Sequence, residues 1–165
     1  MQAPLDAAAL DAMLKEFSEP PVRYKGVIGA LCTKLDLPFD EVMETNSLDW
    51  KGTAVGFMHQ GMLNPGGMKL FFDLNELPKD KELERSLLKL LLSMNLANPI
   101  AGGAFGLIPD NDHVAFSVNF NFPDDDSEAA DALIELIENM TQQLQMMPGL
   151  QQMMEGPIPE GAVMG

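Results

Sequence analysis

Apolar positions change spacing along the chain, and each change marks an element. Leu10, Met13, Leu14 and Phe17 recur at helical intervals and stop at Pro20 and Pro21, which predicts a first short helix. Tyr24, Val27, Ile28, Leu31 and Leu35 make a second amphipathic stripe that ends before Pro38, with Cys32 beside it. Asp40 to Asp49 fits a short strand or a helical turn and stays open at this level. From Thr53 to His59 the period becomes two, with Val55 and Phe57 on one face and Met58 on the other. Gly61, Asn64, Pro65, Gly66 and Gly67 read as a loop. In MKLFFDL, Met68, Leu70, Phe72 and Leu74 then alternate with Lys69, Phe71 and Asp73, so two strands form a hairpin and Phe71 points away from the main apolar face.

A third helix is predicted from about Asp80 to Asn95. Leu83, Leu87, Leu90, Leu91 and Met94 form its stripe, while Leu88 and Leu92 widen it beyond what one sheet covers, implying a second contact surface. A further hairpin follows, through Phe105 and Leu107, a turn at PDND, and the strand HVAFSVNFNF. That strand sets Val114, Phe116, Val118, Phe120 and Phe122 on one side and His113, Ser117, Asn119 and Asn121 on the other. Asp124 to Asp126 come next, at the start of a last helix with apolar positions Ala130, Leu133, Ile134, Ile137, Met140, Thr141 and Leu144. Aspartates there cap free amides and meet the positive end of the helix dipole. The helix is the expected cover for the Val and Phe row. The last eighteen residues hold three prolines and four glycines with no sustained period, so residues 147–165 are expected to form a mobile tail behind a single domain of residues 1–146.

Composition narrows the function. At 165 residues with 46% hydrophobic and 21% charged positions the chain suits one globular domain. The net charge is −15, and every Lys and Arg lies at or before Lys89. Such a surface repels phosphate backbones and anionic lipid, so nucleic acid is not an expected partner. Leu90 to Ile108 is uncharged over roughly a bilayer span, but Asn95, Asn98, Pro99, Gly102 and Gly103 interrupt it, so no membrane insertion is expected. Asp6 and Asp11 stand where a secretory signal wants cations and an apolar run, and a lone cysteine makes no internal disulfide; both fit a reducing cytosol.

No strong catalytic or metal motif emerges. His59 and His113 are far apart, and Cys32 has no second thiol, so metal-ligand spacing is missing. DNDH at Asp110 to His113 reads as a polar turn. DDDSEAADALIE lacks the glycine of a calcium loop, and GGAFG leads into a strand where phosphate-binding glycines precede a helix. Cys32 beside an apolar stripe reads as an inert thiol, and Trp50 as a core plug. Met58, Met62, Met146, Met147, Met153 and Met154 suit varied partners, although methionine also fills ordinary cores.

Residues 66–146, through LERSLLKLLLSMNLANPIAGGAFGLIPDNDHVAFSVNFNF, the acidic turn and the final amphipathic helix, resemble the effector chaperones of bacterial type III secretion, the Tir-chaperone family. The resemblance implies an α+β fold, an α/β sandwich of order α-β-β-β-α-β-β-α with an antiparallel sheet and helices packed on it, here with an extra N-terminal helix. It implies a cytoplasmic bacterial homodimer, with no cofactor and no enzymatic activity, that holds the extended N-terminal segment of a secreted effector in an export-competent state. Independently, a sheet edge beside apolar pockets captures extended peptides, and a self-complementary patch makes a two-fold dimer. On this basis Phe57, Met58, Leu70, Phe71 and Phe72 are the expected effector-binding residues, and Leu88, Leu91 and Leu92 the expected dimer interface. The alternative is a dimeric scaffold or regulatory protein of the secretion system that binds a folded partner.

Overall fold

A computed structural model of the chain describes residues 6–97, 102–109 and 111–147, apart from the side chains of Glu16 and Phe17. Within them run α1 (Ala7–Ser18), α2 (Val22–Leu35), α3 (Phe39–Thr45), β1 (Ser47–Trp50), β2 (Thr53–Gln60), a 3₁₀ turn (Gly61–Leu63), β3 (Asn64–Glu76), α4 (Lys81–Ala97), β4 (Gly103–Leu107), β5 (His113–Asn121) and α5 (Asp126–Gln145). The strands form one five-stranded antiparallel sheet in the order β1-β2-β3-β5-β4, and the fold is α+β. Setting aside α1 and the short α3, the succession is the expected α-β-β-β-α-β-β-α. The segment left open by the sequence resolves into both of its alternatives, α3 and then β1.

The chain divides into two compact units, each built from discontinuous segments, with residues 6–48, 57–70 and 119–135 in the first and the remaining described residues in the second. In the first unit, α2 buries Tyr24, Val27, Ile28, Leu31 and Cys32 and packs against α3. Both helices end on a left-handed residue, Asp36 and Asn46. Asn46 then joins three elements: its amide donates to Val42 O, its carbonyl accepts from Phe57 N at 2.7 Å, and its side chain accepts from the Tyr24 hydroxyl at 2.9 Å. Burial pushes the Tyr24 hydroxyl up to about 12. Beside Tyr24 on α2, Arg23 meets aspartates that divide their work. Asp125 caps α5 by accepting from Glu128 N, whereas Asp126 accepts from Arg23 Nε at 3.1 Å. The same guanidinium donates to Pro123 O and lies 5.7 Å from the centroid of the Phe122 ring.

In the second unit, β4 pairs with β5 so that Phe105 faces Phe116, their ring centroids 4.9 Å apart. Gly103 is required by this pair, since a Cβ there would collide with the Phe116 ring. The glycines of GGAFG therefore include one that makes room for an aromatic. Trp50 is half-buried and is not the core plug expected of it; its ring N–H donates to Glu138 Oε2 at 2.6 Å, where Lys51 also binds. Those bonds, Lys51 first and Trp50 second, hold the Glu138 carboxyl below the usual carboxylate range.

One loop is shorter than the sequence suggests. Residues 64–67 belong to β3, whose Gly66 carbonyl accepts from Phe122 N at 2.8 Å, and only Gly61–Leu63 turn. The glycine is needed because the backbone is crowded at Gly67, where a Cβ would sit 2.6 Å from Asn64 Nδ2 and 3.0 Å from Phe120 O. Glycine lets the strands close there, whereas pattern reading takes glycine as a break. The proposed tail lies outside the described residues except for Met147.

Candidate functional site

Each unit carries its own exposed apolar surface. In the first unit, Asp6 starts α1 by accepting from Ala9 N at 2.7 Å, and Pro20 and Pro21 stop it. Three apolar residues at i, i+3 and i+4 then form a stripe: Leu10, Met13 and Leu14, which are 48%, 42% and 58% exposed. Helix α1 packs against the 3₁₀ turn. That turn is pinned from inside, because Gly61 N donates to His59 Nδ1 at 3.3 Å and Asn64 Nδ2 donates to Gln60 Oε1 at 2.8 Å. Its tip presents Met62 and Leu63 to solvent, Leu63 at 84%. The His59 ring lies edge-on to Tyr24 at 5.2 Å, and burial lowers its pKa, in keeping with an unprotonated Nδ1 that accepts. The result is a platform of Leu and Met on a helix and a braced turn.

In the second unit, α4 packs against β4. Its stripe turns Leu87 and Leu91 inward, while Leu92 and Leu96 stand out and Leu88 is half-buried. Leu107 on β4 is also exposed. Strand β4 lies at the sheet edge, yet its outer side is partly occupied. The Asn95 side chain accepts from Phe105 N at 2.7 Å and donates to Phe105 O at 2.9 Å, taking the place of a neighbouring strand.

These positions correct part of the expected site. Phe57, Leu70 and Phe72 are buried, because they share the inward parity of Val55 and Met68 on alternating strands. They build the interior and present no surface. Met58 and Phe71 have the opposite parity; Met58 is exposed and Phe71 half-buried. Of the expected dimer residues, Leu91 is interior, Leu88 is half-buried and Leu92 is accessible. The signal for Leu96 was present in the sequence, one helical turn beyond Leu92 on the same ridge. The period of α1 marks its apolar face, and the exposure of that face follows only from the fold.

The remaining chemistry is quiet. Cys32 is buried, and burial pushes its thiol up, away from the thiolate that nucleophilic attack needs. His113 Nδ1 lies 2.8 Å from Asp73 Oδ2, and since a carboxylate only accepts, this nitrogen donates and ties β5 to β3. Among the described residues no group of three or more His, Cys, Asp or Glu is placed to hold a metal, and no helix is long and apolar enough to cross a membrane. No protein-family model and no curated protein matches the chain.

Proposed function

We propose that the chain is a holding chaperone that binds the unfolded N-terminal segment of another polypeptide, of the kind exported by type III secretion, and works as a homodimer in the bacterial cytoplasm. One observation carries the reading: Leu10, Met13, Leu14, Met62 and Leu63 are exposed on neighbouring elements of one unit. Large apolar side chains gathered at a surface mark contact sites on folded domains, and methionine adapts to varied partners. Met58, exposed on β2 of the same unit, is a further adaptable apolar side chain for such contacts. Leu88, Leu92 and Leu96 along α4 give a ridge suited to meeting its own copy. Holding a segment requires binding energy and release; it makes or breaks no covalent bond.

The test is purification of the full chain from its native host. The expected product is a complex of two copies of this chain with one secreted protein, bound through an unstructured amino-terminal segment. Recovery of folded domains alone, or of the chain alone as a monomer, would contradict the reading.

A further inference from the structure

We propose that the platform formed by α1 and the Gly61–Leu63 turn selects a cationic amphipathic segment, one whose apolar anchors are flanked by Lys or Arg; this deepens the polypeptide-holding reading and rests on it. The apolar part of the match is the stripe of Leu10, Met13 and Leu14 beside Met62 and Leu63. The charge comes from its border. Residues 6–19 hold four acids against one base, and that base, Lys15, lies 4.0 Å from Glu19. Asp6 and Asp11 are exposed. On the turn side, residues 60–64 bring no charge of either sign, so the turn itself does not offset the carboxylates. The whole chain adds its net charge of −15 to the local field.

That field decides among occupants. The chain's own residues 148–165 contain Glu155 and Glu160 and no base, so they would bring like charge to the acidic border. A second copy would bring the same Asp6 and Asp11 against their own images. A segment with basic flanks instead gains attraction on approach, while its apolar residues are covered by adaptable Met and Leu side chains.

The test uses three fluorescent peptides of about 15 residues with identical Leu positions at helical spacing and flanking Lys, Gln or Glu, titrated into the full chain and read by anisotropy. The Lys peptide is expected to bind at least about tenfold more tightly than the Gln peptide, with the Glu peptide weakest, and added salt should narrow the difference. Leu14→Gln with Leu63→Gln should weaken the Lys peptide about tenfold, and Asp11→Lys should weaken the Lys peptide more than the Gln peptide, narrowing the ratio between them. These are exposed positions, and far-ultraviolet circular dichroism confirms folding. Equal binding of Lys and Gln peptides would overturn the charge selection and leave polypeptide holding intact. Binding of none would overturn both. Retained affinity in the Leu14→Gln, Leu63→Gln variant would remove the platform. Tighter Lys-peptide binding on deletion of residues 148–165 would make the tail the occupant, and loss of a dimer in the double variant would make it a second copy; either result also overturns the proposal.

Discussion

Helices α1 and α5 have the same kind of sequence and opposite fates. Both set apolar residues at helical spacing, both start with an aspartate cap, and both read as amphipathic. Yet Ala130, Leu133, Ile137, Met140, Thr141 and Leu144 of α5 are buried, whereas Leu10, Met13 and Leu14 of α1 are about half exposed. A period states which face a helix would bury, and only the rest of the fold states whether anything covers it. The half-covered helix is where binding is to be sought, since the part of an apolar stripe left in water offers energy that folding has not used.

The comparison breaks most visibly through stability. Leu133→Ala removes a fully buried side chain and is expected to cost about 2–5 kcal/mol in urea unfolding, while Leu14→Ala should cost under about 0.5 kcal/mol. Equal costs would mean that the stripe of α1 is packed as tightly as that of α5. The second unit offers an intermediate case. Asn95→Ala leaves the Phe105 N–H and C=O without their partner and is expected to cost about 1–3 kcal/mol, with faster exchange of the Phe105 amide, whereas the exposed Leu96→Gln should leave stability nearly unchanged. Leu92→Glu with Leu96→Glu should instead lower the mass seen by light scattering; an unchanged mass would remove α4 from the dimer surface.

Smaller effects probe the residues that brace the turn of the platform. Burial lowers the His59 pKa, so the unfolded chain binds a proton more readily than the folded one. Stability supplied by neutral His59 is therefore complete above the ordinary imidazole range near 6.5 and is lost as pH falls through it. His59→Gln should flatten the dependence of unfolding free energy on pH between about 7.5 and 5.5. Tyr24 gives the finest readout, because the chain has one tyrosine. Its ionisation, followed by absorbance, should be displaced to about 12 in the folded protein and return to 10.0 on unfolding. An ordinary midpoint in the folded state would show Tyr24 open to water and the support of His59 loose.

Much of this architecture was legible from spacing. The buried Val114, Phe116, Val118 and Phe120 of β5, the single capping aspartate Asp125 of α5 and the succession of strands and helices follow from alternation, helical period and cap chemistry, which are local. What escaped was whatever depends on a distant neighbour. Gly66 and Gly67 look like a loop until the tight approach to Phe120 is known. The ring N–H of Trp50 finds Glu138, eighty-eight residues away, which no local pattern discloses. The expected peptide surface fails by parity: Phe57, Leu70 and Phe72 are large and apolar, the same qualities that place them inside. Met58 and Phe71 kept accessibility because they lie on the other side of the same strands.

Hydrogen exchange of the full chain, with and without the Lys-flanked peptide, tests the central claim most directly. The account expects rapid exchange in α1 of the free protein, slow exchange through α5, and new protection on binding that gathers in residues 7–18 and 61–63. Binding that leaves those residues unprotected while another segment slows would contradict it.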